Sequence, residues 1–436
     1  MSQALPISTA DVAPPPAATG IIPRLSVMMF LQYAIQGAWL PITFLYLHKY
    51  RGFENTAVAS IMVWGAIGAI AAPFFAGQLA DRYMNAERFM ALAHAIGAVV
   101  VWVLAEATNF YALAGLAFLY GLMYTPTLAT GNAIAFAHLP DRDRDFGKVR
   151  MWGTIGWICV GIGIGQWLLF KVGPTDKAAQ VAGMRDAFRV STVLGLLQAA
   201  YVLTLPKTPP KPGKTNYAPR EALAEIGRSR ALLAIFLISV PIAAAHQFFF
   251  VRTSEFLQEL DLNAPLANKV FGVGGAGIMT IGQLSELVCL GLMPFVIKRV
   301  PRKALLCVGL LAYFARFMVF AYLPYKEALL PALALHGIVF GCFFFICFMV
   351  VDELTTTDVR ASAQNLFNLV VFGVGVIVGN LMAGWLDKWT SVGGHTNWQA
   401  YYAVPGWLTL ACLVALLVFF PSRLARPAAR GALDGR

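Results

Sequence analysis

Charge is what this chain of 436 residues has least of: 13% of it is Asp, Glu, Lys or Arg, while 58% is hydrophobic. A soluble globular domain carries about 25% charged and about 45–50% apolar residues, so the balance excludes an ordinary water-soluble fold. Cysteine is scarce too. All six (Cys159, Cys289, Cys307, Cys342, Cys347 and Cys412) fall inside apolar runs and no pair has metal-ligand spacing, so neither a disulfide framework nor a metal site is indicated. Catalytic signatures are missing as well. There is no HExxH, no G-x-S-x-G, no Walker A loop and no pair of intramembrane aspartates, which leaves a membrane-embedded enzyme without a visible catalytic set. "GVGGAG", Gly272 to Gly277, fits a dinucleotide fingerprint but follows no strand; in an apolar span it reads as close helix packing.

What the chain has in abundance is long apolar runs, with a mean hydropathy of +0.67. A hydrocarbon core of about 30 Å takes about 20 apolar residues per helix. On that criterion twelve spans are expected, near 24–48, 57–79, 88–106, 110–137, 149–171, 188–206, 230–257, 269–297, 304–323, 330–351, 364–386 and 400–421. An even number puts both termini on one side. The loops on that side hold Arg142, Arg144 and Lys148, then Lys207, Lys211 and Lys214, then Lys298, Arg299, Arg302 and Lys303, then Arg423, Arg426 and Arg430. That asymmetry predicts cytoplasmic termini in a plasma membrane, the inner one in a bacterium. It also accounts for the net charge of +11 without nucleic acid. Residues 1–23 carry no basic cluster ahead of their apolar segment and read as a disordered cytoplasmic tail, not a cleaved signal peptide; 422–436 is a basic tail.

The stretch "PKTPPKPGKTNYAPREALAEIGRSR" has linker composition and divides the chain into six-span halves, 24–205 and 230–421, joined by 206–229. Two such halves resemble the major facilitator fold, an all-α integral membrane architecture of twelve helices in two pseudo-symmetric halves with the site between them near the bilayer midplane. "GQLADRYMNAER" partly matches that superfamily's loop motif, with Gly77, Asp81 and Arg82 in place and its later glycine and basic pair absent.

Polar residues inside spans are costly in lipid and are the candidates for function. Arg150, Thr154 and Trp157 stand at i, i+4 and i+7 on one helical face. A guanidinium fork, a hydroxyl and an aromatic plate on one stripe suit a polar ring bearing hydroxyls. The competing reading has Arg150 snorkelling to the cytoplasmic surface and Trp157 facing lipid. In span 8, Gln283 and Glu286 stand at i and i+3, and span 9 carries Arg316. A lone carboxylate and a lone arginine on adjacent spans suggest a buried pair, either for proton coupling or to hold the two helices in register. Gln247, Asn132 and Gln36, with Gln32 one turn before it, are uncharged and serve substrate or a neighbouring helix equally well.

The chain resembles the nucleoside:proton symporter family of the major facilitator superfamily over nearly its whole length. The resemblance rests on "FLQYAIQGAWL", "YTPTLATGNAIAF", "VRMWGTIGW", "GQLSEL", "ARFMVFAY" and "VRASAQ", in that order. It implies alternating access and uptake of a nucleoside driven by protons, with no other cofactor, by a carrier expected to work as a monomer. It also implies that Arg150, Thr154, Gln247, Gln283 and Glu286 match residues lining the nucleoside site, with Trp157 where the family has another aromatic. Phe344 fits the pattern. Phe250 stands in place of an Asn, Phe340 in place of a Tyr and Phe345 in place of an acid. "FGKVRMWGTIGW" is also similar to the span 5 motif of lactose-permease-like oligosaccharide:proton symporters, in which the matching Arg and Trp bind a sugar. A Glu of those carriers stands where this chain has Asn132. A sugar symporter and a proton-independent facilitator therefore stand as alternatives to the nucleoside symporter. A membrane enzyme or a substrate-sensing receptor is a further class, which binding without flux would support.

Overall fold

The computed structural model describes residues 20–72, 84–209, 219–260, 265–356, 359–393, 395–422 and 424. Gly77, Asp81 and Arg82 lie outside the described residues. Eleven helices among those described are long and apolar enough to cross a membrane: Ile21–Tyr50 (span 1), Asn55–Ala72 (span 2), Ala86–Glu106 (span 3), Phe110–His138 (span 4), Arg144–Val172 (span 5), Arg230–Glu259 (span 7), Gly277–Val296 (span 8), Arg302–Tyr322 (span 9), Lys326–Leu354 (span 10), Ser362–Thr390 (span 11) and Trp398–Phe419 (span 12). Helix Arg185–Val202 occupies the place expected for span 6 but opens on Arg185, Asp186 and Arg189, and so is less apolar than the rest. Its packing makes it part of the bundle. The Ser191 hydroxyl donates to the Ile35 carbonyl at 2.7 Å, and the Gln198 amide donates to that of Met28 at 3.1 Å.

Helices are what lipid permits, because each backbone N–H and C=O must find its partner within the segment. At the watery ends side chains satisfy the leftover donors: Asn109 accepts from the N–H groups of Tyr111 and Ala112, Asp141 from that of Arg144, and Asn397 from that of Ala400. Large apolar side chains point outwards along the spans, among them Val99 (60% exposed), Leu237 (64%) and Trp385 (66%). Such a surface suits lipid and is untenable in water.

Two local outcomes differ from the sequence reading. Span 8 does not begin near residue 269. Pro265–Phe271 is a separate short helix, followed by a turn in which Gly272, Gly274 and Gly275 have φ of 76°, 83° and 84°. That backbone conformation breaks the helix, so most of "GVGGAG" is a turn and not part of the membrane span. The turn is nevertheless a packing device: Val273 N–H donates to the Gly165 carbonyl of span 5 at 3.0 Å, and a Cβ on Gly272 would overlap the Gly165 backbone. The linker is likewise not featureless. Pro219–Arg228 forms an amphipathic helix, and its Glu225 accepts from the N–H (2.9 Å) and hydroxyl (3.0 Å) of Thr356 in the loop after span 10.

The first and last six helices meet along spans 2 and 11, where Gly384 faces Ala59, and along spans 5 and 8, with Gly165 facing Gly272 in the turn before span 8. Hydrogen bonds and ion pairs joining the two sets gather at the end where span 1 finishes. There Lys49 Nζ lies 3.1 Å from Glu255 and 3.0 Å from Glu259 of span 7, and Asn55 donates to Asp387 of span 11. Behind them Arg252 is fully buried. It pairs with Glu255 at 2.8 Å and with Asp387, and its guanidinium lies 4.8 Å from the ring centre of Trp398.

Candidate functional site

Span 5 contributes the stripe expected of it, and the structure decides which way that stripe turns. Arg150 is half-buried with its guanidinium 4.1 Å over the Tyr33 ring of span 1. It is turned into the bundle and does not snorkel to a lipid surface. Thr154, half-buried, follows one turn on. The Trp157 indole rests on Gly37 of span 1 and meets the ring of Phe250 on span 7 edge-on, with centroids 6.4 Å apart and planes at 80°. Trp157 and Phe250 are thus an aromatic contact across the seam between the two sets of helices. Gly37 makes this seat possible, since a Cβ there would lie 3.0 Å from the indole. If the chain is the transporter its sequence resembles, Gly37→Val is expected to push Trp157 out of place and cut uptake by about tenfold or more with the protein still folded, a cost in line with overpacking of about 1–3 kcal/mol; initial uptake rates beside a thermal melt check it.

On the opposite wall the structure corrects the charge pairing. Among the described residues no ion pair joins Glu286 to Arg316. His336 of span 10 stands between them, its Nε2 3.6 Å from the Glu286 carboxylate and its Nδ1 3.2 Å from the Arg316 guanidinium. The cause is steric. Gly337 brings the backbone of span 10 against that of Ser285 and Glu286, and Gly282 leaves room for the His336 side chain beside it. Arg316, fully buried, is instead faced by the rings of Phe249, Tyr313 and Phe317 at 4.8–5.1 Å. Glu286 is half-buried on span 8, the helix packed against span 5, which carries Arg150. The two charged candidates thus sit on neighbouring helices of opposite halves.

The uncharged candidates divide. Gln247 donates to the Asn380 side chain of span 11 at 3.2 Å, so it ties two helices of the second half together. Gln32 donates to Thr127 and accepts from His94, both at 2.7 Å, and is committed to packing in the first half. Gln36 is half-buried on span 1. Gln283 is buried with its Oε1 unpartnered, and Asn132 is half-buried with its Oδ1 unpartnered. A buried acceptor without a donor costs about 1–3 kcal/mol, which a ligand offering N–H or O–H would recover. Phe344 is buried with its ring centre 5.2 Å from that of His246.

His246, His336, Tyr313 and Tyr33 were not among the residues the sequence singled out. The signal was present: "AAAHQFF" and "LALHGIVF" each set an ionisable group within an apolar run, and the cost that marks Arg316 marks a histidine too.

The protein-family model described as Nucleoside H+ symporter matches residues 19–424. YegT of Escherichia coli (strain K12) is 30% identical over 91% of this chain and 93% of its own length. The xanthosine permease of the same organism is 28% identical over 91% of this chain and 94% of its own length. A crystal structure of the nucleoside transporter NupG is similar with a TM-score of 0.82 at 24% identity, covering 92% of this chain and 100% of that one, a likeness of fold. The architecture is thus the major facilitator fold, and the chain belongs to the nucleoside H+ symporter family.

Proposed function

We propose that the protein is a nucleoside:proton symporter of the bacterial inner membrane, working as a monomer with both termini cytoplasmic and no cofactor other than the proton. One observation carries the reading: Arg150 and Glu286 lie on packed helices from opposite halves, beside the aromatic contact of Trp157 with Phe250. In the empty carrier their attraction holds the halves in register. A nucleoside entering the seam places its ring between Trp157 and Phe250 and its hydroxyls against Arg150, Thr154 and Gln283. A proton on Glu286 then removes the charge that Arg150 no longer balances, and the loaded carrier is free to rock. With cytoplasmic termini, the end closed by Lys49, Glu255, Glu259, Asn55 and Asp387 is the outer one, so the conformation described has its outer end shut.

A sugar substrate is the second reading, supported by the indole of Trp157 beside a guanidinium, a pair that suits a ring rich in hydroxyls. Counterflow in proteoliposomes tests the proton role of Glu286. Glu286→Gln is expected to keep exchange of labelled for unlabelled nucleoside within about threefold of the parent while losing accumulation against a gradient. Accumulation that survives the substitution removes Glu286 from proton coupling.

A further inference from the structure

His246 lies on span 7 one turn before Phe250, on the same helical face. Phe250 touches Trp157 of the first half, so that face looks into the seam. Neighbours from spans 7, 9 and 10 enclose the imidazole. The His336 ring is stacked on it at 5.2 Å with planes at 26°, the Phe250 and Phe344 rings stand edge-on at 5.3 and 5.2 Å, and the Tyr313 hydroxyl lies 2.6 Å from Nδ1. In spite of these neighbours His246 is only half-buried. Its place one turn before Phe250 on one helical face sets it on the side of span 7 that turns towards Trp157.

The hydrogen bonds fix which nitrogen carries the proton. Tyr313 is fully buried, and its hydroxyl has Nδ1 of His246 as its partner. If the imidazole donated in that bond, the phenolic proton would be left buried without an acceptor. The hydroxyl therefore donates to Nδ1, and the neutral ring keeps its hydrogen on Nε2. The neighbouring ring is set in the same way: a guanidinium only donates, so Nδ1 of His336 accepts from Arg316. The expected ligand beside His246, Gln247, is meanwhile occupied with Asn380.

We propose that His246 is a further substrate ligand, a fixed hydrogen-bond donor that reads an acceptor on the rim of a base held between Trp157 and Phe250. This rests on the nucleoside reading above and goes beyond it by naming the class preferred. A donor at a fixed place favours an exocyclic carbonyl and opposes an amino group, so uridine is preferred to cytidine and inosine to adenosine. Tyr313 is the positioning residue, because it holds the tautomer.

The test is equilibrium binding of these four nucleosides to the purified carrier by titration calorimetry, for the parent, His246→Ala and Tyr313→Phe. The parent is expected to bind each carbonyl nucleoside about three- to tenfold tighter than its amino counterpart, the range one net hydrogen bond gives. His246→Ala is expected to lose that advantage by weakening uridine and inosine while leaving cytidine and adenosine nearly unchanged. Tyr313→Phe keeps the imidazole but frees its tautomer, and is expected to bring the ratio towards one without a general loss of affinity. Should His246→Ala fail to fold, the Tyr313→Phe ratio decides. A parent that binds all four equally, or a preference that persists in the variants, overturns this inference and leaves the nucleoside reading standing. A parent that binds none of them overturns both.

Discussion

Arg150→Ala is expected to lower nucleoside uptake, measured as kcat/KM in proteoliposomes, by on the order of 100-fold or more. Two losses combine. The substrate loses a planar fork of donors suited to hydroxyl or carbonyl oxygens. Glu286 of span 8 loses the positive charge proposed to balance it in the empty carrier, and two losses of about 1.4 kcal/mol or more, a factor of ten apiece, make about 100-fold. Arg150→Lys restores the charge without the fork and is expected to recover only part of the rate. An Arg150→Ala carrier within about twofold of the parent would return the residue to the role of a helix anchor.

The second large effect is on stability. Arg252→Leu is expected to cost about 3–5 kcal/mol, because it leaves Glu255 and Asp387 facing one another in a buried place with their shared cation gone. Glu255 keeps Lys49 at 3.1 Å, so Asp387 is the group left worse off. The double variant Arg252→Leu with Asp387→Leu is therefore expected to melt well above the single one in detergent. A single variant that melts with the parent would show that the end where span 1 finishes is held by packing alone.

Much of the architecture was written in the sequence, because long apolar runs report directly on lipid. The helix Arg185–Val202 fell where expected even though its charged first turn makes it a poor span taken alone; its hydrogen bonds to Ile35 and Met28 explain why it belongs. Spacing could state that Arg150, Thr154 and Trp157 share a face, but not which way the face turns; that follows from span 1 packing against span 5, with Tyr33 under the guanidinium and Gly37 under the indole. Pairing Glu286 with Arg316 followed from the cost of lone charges, and it missed because a third polar group was left out. His336 stands between them where glycines at 282 and 337 admit it. The commitment of Gln247 to Asn380 was equally beyond reach, since it depends on the approach of span 11.

The most direct measurement is uptake of labelled uridine, adenosine and a disaccharide by the purified protein in proteoliposomes, with and without an inward proton gradient. Nucleoside accumulation that requires the gradient, with no uptake of disaccharide, is the result this account predicts. Disaccharide accumulation, or nucleoside flux indifferent to the gradient, would contradict it.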